Sequence, residues 1–256
     1  IDEIQAEITN HMQPAKELVG NIAGTIELIS DKVDEPFISQ KHLDELETLR
    51  AHILESTGIK PTHEDGVLHP VEVIESMQKV LSDDTTVTVD VGSHYIWMAR
   101  KFRSYNPRHL LFSNGMQTLG VALPWAIAAA LVRPNTQVVS VAGDGGFLFS
   151  AQDLETAVRK NLNIIQLIWN DGKYNMVEFQ EEMKYERSSG VDFGSVDFVK
   201  YAESFGAKGL RVTNQEELEA AIKEGYETEG PVLIDIPVNY KDNVKLSTNM
   251  LPDTFN

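Results

Sequence analysis

From His69 onward the sequence alternates short apolar segments with longer stretches of helical periodicity. The candidate strands are Thr86–Val91, Leu110–Phe112, Gln137–Ala142, Ile164–Trp169, Lys208–Val212 and Val232–Ile236. Several are apolar and β-branched at successive positions, which is typical of strands that are covered on both faces. The candidate helices between them are Val71–Leu81, His94–Phe102, Gly120–Val132, Ala151–Arg159, Val196–Phe205 and Gln215–Gly225. This alternation predicts an α/β fold, a doubly wound parallel sheet of about six strands with helices on both faces.

The first 65 residues have a different character, and they predict an N-terminal helical tail or linker (1–65) ahead of the main domain (66–256). Pro14 is placed to begin a helix with an apolar stripe at Leu18, Ile22, Ile26 and Ile29. Ser39 is placed to cap a second helix. Its inward side chains would be Leu43, Leu46, Leu49 and Ile53, with Gly58 and Pro61 closing it. Because the chain starts at Ile1 without a signal-like stretch, we expect it to be the C-terminal piece of a longer protein.

Composition restricts the partners of this chain. With 22 basic and 39 acidic side chains the formal net charge is −17, which repels phosphodiester backbones and anionic lipids, so we expect no nucleic-acid partner. The longest nearly apolar run, Gly120–Val132, is too short to span a membrane, which needs ~20 apolar residues. The absence of cysteine excludes disulfides, thiolate nucleophiles and zinc–sulfur sites, and it favours a reducing, cytoplasmic location.

Acidic residues follow two consecutive strands at the edge where a doubly wound sheet binds ligands. Gly143-Asp144-Gly145-Gly146 comes after one strand, and Asn170-Asp171 comes after the next. Glycines there let backbone amides approach a bulky anion, and a divalent cation would remove the repulsion between that anion and the carboxylates. For oxygen ligands Mg²⁺ is the usual choice, so the sequence predicts a magnesium site at this edge.

These motifs resemble the thiamine-diphosphate motif of the pyruvate-decarboxylase and acetohydroxyacid-synthase superfamily, in its C-terminal, diphosphate-binding domain. Val91-Gly92-Ser93-His94 resembles the loop that meets the distal phosphate, and Gly115–Gly120 resembles the loop that grips the aminopyrimidine and thiazolium rings. The resemblance covers the chain from near Gly66 to the C-terminus, and Ile1–Val33 resembles the end of the family's middle domain.

The resemblance implies thiamine diphosphate and Mg²⁺ as cofactors and assigns a role to each site residue. Asp144 and Asp171 would be side-chain ligands of Mg²⁺, and Lys173 would be a backbone-carbonyl ligand. The cofactor-binding set would be Val91, Gly92, Ser93, His94, Gln117, Leu119, Gly143, Asp144, Gly145, Gly146, Asp171 and Lys173. The carbonyl of Gln117 would accept a hydrogen bond from the 4′-amino group of the cofactor. Leu119 would be the apolar side chain that lies between the aminopyrimidine and thiazolium rings. The substrate pocket would be formed by Met176, Val177 and Gln180.

Within the superfamily the sequence most resembles the catabolic, FAD-independent acetolactate synthases. The resemblance is seen in four sequence segments, Leu123–Ile127, Tyr174–Val177, Gln180–Glu182 and Tyr201–Ala207. Asp171 stands where biosynthetic relatives usually have Asn, and Gln180 stands where they have a tryptophan that favours 2-ketobutyrate. Pyruvate is therefore expected as donor and acceptor, giving 2-acetolactate and CO₂ on a route to acetoin and butanediol.

The resemblance also implies an incomplete catalytic apparatus. In the family the glutamate that activates the cofactor lies in an N-terminal, pyrimidine-binding domain of the partner subunit, so a homo-oligomer and that absent domain are expected as partners. Two alternatives remain open from the sequence. The chain could belong to another thiamine-diphosphate enzyme such as pyruvate oxidase, or it could be an inactive cofactor-binding fragment.

Overall fold

The computed structural model describes residues 1–5, 14–33, 39–56 and 64–244. The chain divides into two units, Ile1–Gly58 and Ile59–Asn256. The boundary after residue 65 that the sequence suggests stays a prediction. In the described part of the chain, no helix combines the length and the apolar composition needed to cross a bilayer.

The N-terminal unit contains helices α1 (Ile22–Ser30) and α2 (Gln40–Ser56). The predicted helix start at Pro14 is wrong, because α1 begins after Asn21, whose side chain accepts a hydrogen bond from the amide of Gly24 at 2.9 Å. Backbone hydrogen bonds with Asp2 hold Leu18 and Gly20 in an extended segment instead.

The predicted cap of α2 is confirmed, since the hydroxyl of Ser39 accepts a hydrogen bond from the amide of His42 at 3.3 Å. The stripe Leu43, Leu46 and Leu49 is 43–53% exposed, so its prediction as inward-facing is wrong for this chain: the described residues leave it uncovered. The side chain of Ile53, and Gly58 and Pro61, lie outside the described residues.

The second unit is built on a six-stranded parallel sheet, as predicted. Its strands are β1 (Thr86–Val89), β2 (Leu110–Phe112), β3 (Val138–Gly143), β4 (Ile164–Asn170), β5 (Lys208–Arg211) and β6 (Val232–Pro237). The order across the sheet is β2-β1-β3-β4-β6-β5. The chain winds outward from β1 to β2 and then returns across β1 to β3. The winding direction therefore reverses between β1 and β3, and that crevice is where ligands bind in such sheets.

Helices cover both faces of this sheet, which confirms the doubly wound arrangement. The helices are α3 (Pro70–Val80), α4 (Ser93–Lys101), α5 (Ala122–Val132), α6 (Asp144–Phe147), α7 (Leu154–Arg159), α8 (Asn175–Tyr185), α9 (Phe198–Ser204) and α10 (Gln215–Glu227). One buried core joins α3, α4 and α10 to strand residues such as Val139 and Leu167. The opposite core joins α5, α7 and α9 to their neighbours in the strands, such as Val138 and Ile168. Alternate strand residues thus pack on opposite helical layers.

Two local elements differ from the prediction. The stretch predicted as one helix over Ala151–Arg159 starts as a 3₁₀ turn, Ala151–Asp153, before α7 begins. Helix α8 was not predicted, and none of its side chains is fully buried. Its apolar residues do not form a stripe that faces a core, so its sequence carries a weak helical signal.

Candidate functional site

A cavity of about 310 Å³ lies beyond the carboxyl ends of β1, β3 and β4. It brings together almost all of the residues that the sequence assigns to the site. The predicted residues that line it are Val91, Gly92, Ser93, His94, Gln117, Leu119, Gly143, Gly145, Gly146, Asp171, Lys173, Met176, Val177 and Gln180. Asp144 is the exception, since its side chain is buried and does not form part of the wall.

Asp144 and Asp171 lie side by side at the carboxyl edge of the sheet. The strands that carry them are hydrogen-bonded neighbours, with Gly143 opposite Trp169. The Oδ2 atom of Asp144 accepts hydrogen bonds from the amides of Asp171 at 3.1 Å and Gly172 at 2.6 Å, and its Oδ1 atom accepts one from Gly145 at 2.8 Å. The carboxylate of Asp144 therefore fixes the turn that carries Asp171.

The protonation of these two carboxyl groups is perturbed in the same direction. Burial raises the pKa of Asp144 to about 6, although four backbone hydrogen bonds, from Gly172, Gly145, Asp171 and its own amide, favour its ionised form. Burial, and next the charge of Asp144, raise the pKa of Asp171 to about 7. Two crowded carboxylates with raised pKa values are suited to a shared hard cation, because the cation relieves both the desolvation and the repulsion. In the described ranges, no group of three or more His, Cys, Asp and Glu side chains is arranged to hold a metal. A cation here would need backbone or ligand oxygens as well.

We predict that Mg²⁺ binds more tightly as pH rises from 5 to 8. Both carboxyl groups must lose their protons to coordinate the ion, and their pKa values are about 6 and about 7. Below pH 6 the affinity should rise by up to ~100-fold per pH unit, since up to two protons leave per ion, and it should level off near pH 8. Calorimetric titration in buffers of different ionisation enthalpy would count those protons.

The metal-free protein should show the opposite trend in stability. Because the folded pKa values exceed the unfolded value of about 4, the folded chain binds more protons between pH 4 and pH 7. Its free energy of unfolding should therefore fall as pH rises through that window. An affinity for Mg²⁺ that does not change between pH 5 and pH 8, with no proton release, would contradict the prediction.

The two glycine loops pack too closely to accept side chains. A Cβ atom on Gly145 would lie 2.6 Å from Cε1 of Tyr174, and one on Gly92, whose φ is +155°, would lie 2.8 Å from Cε1 of His94. Both glycines line the cavity, so their backbone borders it without a side chain of their own. Such a surface exposes peptide groups to a bulky anion.

Two buried ring nitrogens in the cavity wall have no hydrogen-bond partner among the described residues: Nε2 of His94 and Nε1 of Trp169. Burial lowers the pKa of His94 to about 3, so its ring is neutral, and the ring hydrogen-bonds to the backbone of Asp90. His94 and Trp169 both line the cavity, although these two nitrogen atoms are themselves buried.

The loop that follows β2 also lines the cavity, through Gln117 and Leu119. Gln117 has a positive φ of 51°, and Leu119 lies two residues further on in the cavity wall. The loop is anchored by Asp90, which was not predicted. Its Oδ1 atom accepts hydrogen bonds from the amides of Val91 at 2.7 Å and Gly120 at 3.0 Å. Asp90 therefore joins the loop after β1 to the loop after β2.

Other residues of the site also escaped prediction. Trp169, Tyr174, Asn175 and Tyr240 line the cavity, and Asn243 lies behind it. Tyr174 and Asn175 directly follow the predicted metal turn, so their position in the sequence indicates that they lie near the site. Tyr240 and Asn243 come from the segment after the last strand, where no local pattern indicates a link to the site.

Comparisons with known proteins point to one family. The family model described as "Thiamine pyrophosphate enzyme, C-terminal TPP binding domain" matches residues 90–236. The chain is 49% identical over 255 residues to "Acetolactate synthase" of Bacillus subtilis, covering 100% of this chain and 45% of that protein. It is 44% identical over 246 residues to "Acetolactate synthase, catabolic" of Raoultella terrigena, covering 95% and 44%. It is 33% identical over 184 residues to "Acetolactate synthase isozyme 2 large subunit" of Escherichia coli, covering 69% and 34%. The chain thus spans less than half the length of these relatives.

Proposed function

This chain belongs to the thiamine pyrophosphate enzymes as a C-terminal TPP-binding domain, and we propose that it supplies the diphosphate and metal half-site of an acetolactate synthase. Membership confirms the resemblance seen in the sequence and the prediction of thiamine diphosphate with Mg²⁺ as cofactors. The relatives' names support the activity, and the catabolic relative supports a place on a route to acetoin and butanediol. The observation that carries the proposal is that the buried Asp144 carboxylate binds the amides of Asp171 and Gly172, next to the cavity that Asp171 lines.

The donor set fits the cofactor. Asp144, Asp171 and the carbonyl of Lys173 would hold Mg²⁺, which would bridge to the diphosphate. The ammonium group of Lys173 is already paired with Glu178 and lies 3.5 Å from Asp192, which supports a role for its backbone rather than its side chain. The backbone amides of the two glycine loops, Gly92–His94 and Gly145–Gly146, would bind the diphosphate oxygens. Gly92, Gly145 and Gly146 line the cavity with backbone alone, which supports a ligand that binds peptide groups there.

When bound, thiamine diphosphate supplies a nucleophilic carbon and an electron sink for decarboxylating a 2-oxo acid. The residues of this chain would hold and orient it. Gln117, with its left-handed backbone, would present its carbonyl to the 4′-amino group, and Leu119 would separate the two rings. The buried carboxylate of Asp144 would keep the metal turn rigid through its three amide bonds.

Helix α8 would form the wall of the substrate pocket. Met176, Val177 and Gln180 all face the cavity from its first two turns. Gln180 offers an amide rather than a wide apolar surface, so the pocket would gain little from the extra methylene of 2-ketobutyrate. Such a methylene is worth ~1–3 kcal/mol in an apolar pocket. Pyruvate is therefore the proposed donor and acceptor.

The activating glutamate would come from a pyrimidine-binding domain of a partner subunit, so the proposed assembly is a homo-oligomer of the complete protein. Among the described residues, no glutamate lines the cavity that the two glycine loops border. A cytoplasmic location remains a proposal that rests on the absence of cysteine.

The test is to supply the complete protein with pyruvate, Mg²⁺ and thiamine diphosphate. We expect one acetolactate and one CO₂ for every two pyruvates, and no product after Mg²⁺ is chelated. Oxygen consumption without acetolactate would instead indicate the pyruvate oxidase alternative. Tight cofactor binding without any turnover of pyruvate would favour the inactive cofactor-binding fragment.

A further inference from the structure

The segment that follows β6 is fixed behind the cavity at several points. The ring of Tyr240 stacks on Trp169 with centroids 6.4 Å apart, and Oδ2 of Asp242 lies 3.2 Å from Nε2 of His69. Asn243 is 4% exposed, and its side chain lies between α4 and the start of α8. A buried amide must satisfy its hydrogen-bonding groups locally, so its partners are informative.

All three strong hydrogen bonds of this amide have a fixed direction. The indole Nε1 of Trp97 can only donate, and it donates to Oδ1 of Asn243 at 2.7 Å. The Nδ2 atom of Asn243 therefore faces the site, where it donates to the hydroxyl of Ser93 at 2.9 Å and to Oδ1 of Asn175 at 2.6 Å. Ser93 in turn donates its proton to the same oxygen of Asn175 at 2.8 Å. Asn243, Ser93 and Asn175 thus form a closed triangle.

This triangle joins the two proposed halves of the cofactor site. Ser93 is the first residue of α4, in the loop proposed to bind the diphosphate. Asn175 is the first residue of α8 and comes directly after the turn with the proposed metal ligands Asp171 and Lys173. Because Oδ1 of Asn175 is held by two donors, its amide nitrogen is directed away from the triangle. There it donates to Oε2 of Glu178 at 3.3 Å, and the same carboxylate pairs with the ammonium group of Lys173 in the proposed metal turn.

We propose that Asn243 is a positioning residue for the cofactor site: it fixes Ser93 and Asn175 relative to each other, and through Asn175 and Glu178 it holds the turn that carries Asp171 and Lys173. This inference rests on the proposed function, since it assumes that Asp171 binds the metal. It also gives the C-terminal segment a role in metal affinity. Partners of metal ligands at this distance typically change metal affinity by about 10–100-fold when they are replaced.

The test compares Asn243→Asp with the wild type in the complete protein. The substitution keeps the size of the side chain and the oxygen that accepts from Trp97. It replaces the Nδ2 donor by an oxygen, which cannot donate to Ser93 or Asn175. We expect the Mg²⁺ concentration for half-maximal thiamine-diphosphate binding to rise about 10–100-fold, with kcat at saturating metal and cofactor within ~3-fold of wild type. If Asn243→Asp does not fold, the same measurement is made on Asn243→Ser, whose side chain is smaller and uncharged.

The control is Gln78→Leu, which removes a side-chain amide that joins α3 to the backbone of Arg103, after α4, and does not line the cavity. It should leave the Mg²⁺ affinity unchanged. A double-mutant cycle with Asn175→Ala should be strongly non-additive, because both residues act through one network. Additive effects, or an Asn243 variant that is only less stable with unchanged Mg²⁺ affinity, would overturn the inference.

Failure of the proposed function is distinguishable in the same experiment. A wild-type protein that binds Mg²⁺ and thiamine diphosphate but forms no acetolactate overturns the proposed activity, while the comparison of affinities still decides the role of Asn243. A wild-type protein that binds no cofactor in the presence of Mg²⁺ overturns both.

Discussion

Replacing Asp144 by Asn will remove nearly all of the stabilisation that Mg²⁺ and thiamine diphosphate give to the complete protein. The substitution takes away one of the two carboxylates proposed to hold the ion. It also replaces one carboxylate oxygen by an NH₂ group. Both oxygens now accept hydrogen bonds from the amides of Gly145, Asp171 and Gly172, and an NH₂ group cannot accept them. The metal turn would lose both its charge and its anchor, so we expect the cofactor affinity to fall by at least ~100-fold.

The measurement is the shift in unfolding free energy on adding Mg²⁺ and cofactor. At a ligand concentration 100 times the wild-type Kd, the wild type should gain ~2.7 kcal/mol, and a variant with a 100-fold weaker Kd should gain only ~0.4 kcal/mol. Asp153→Asn is the matched control, because Asp153 lies on the 3₁₀ turn shortly after the same loop and does not line the cavity. A full ligand-induced gain in Asp144→Asn would exclude Asp144 as a metal ligand.

The sequence predicted the sheet and the position of the acidic pair because both depend on short-range patterns. Consecutive parallel strands place their carboxyl ends at one edge, so Asp144 and Asp171 had to emerge together once β3 and β4 were recognised. The runs of apolar, β-branched residues located those strands to within a residue or two at each end. Four loops that line the cavity, after β1, β2, β3 and β4, follow from the strand ends.

The parts that were missed depend on contacts between distant segments. Asn243 bonds to Ser93 across 150 residues, and Asp90 bonds to Gly120 across 30, with no local motif to indicate either. Helix α8 is held at the cavity rim without a buried face, so its periodicity was weak. Pro14 is compatible with both a helix start and an extended segment, and the backbone bonds to Asp2 decide between them.

Replacing Asp90 by Ala will lower the free energy of unfolding by about 3 kcal/mol at pH 5. Asp90 is 1% exposed, and its Oδ1 atom satisfies the amides of Val91 and Gly120, with the amide of Ala122 at 3.5 Å from Oδ2. A buried amide without an acceptor costs ~1–3 kcal/mol. The variant loses the two short hydrogen bonds from Val91 and Gly120 and the longer one from Ala122, which together account for the expected loss of stability. The loop with Gln117 and Leu119 would lose its anchor, so cofactor binding should weaken as well.

Urea denaturation of Asp90→Ala and of Asp84→Ala measures this effect against a matched control. Asp84 is exposed, and its side chain accepts a bond from Asn106, so its replacement should cost less than ~0.5 kcal/mol. The cost at Asp90 should also depend on pH. Burial raises the pKa of Asp90 to about 6, above the unfolded value of about 4.

In that window the folded wild type holds a proton that the unfolded chain has lost, so the contribution of Asp90 to stability falls as pH rises from 4 to 6. The alanine variant lacks this group, so the difference between the two proteins should be larger at pH 5 than at pH 8. The titrations of Asp144 and Asp171 occur in both proteins and cancel in the comparison. A difference that grows from pH 5 to pH 8 would mean that the ionised carboxylate, held by its backbone amides, is the form that stabilises the junction of the two loops.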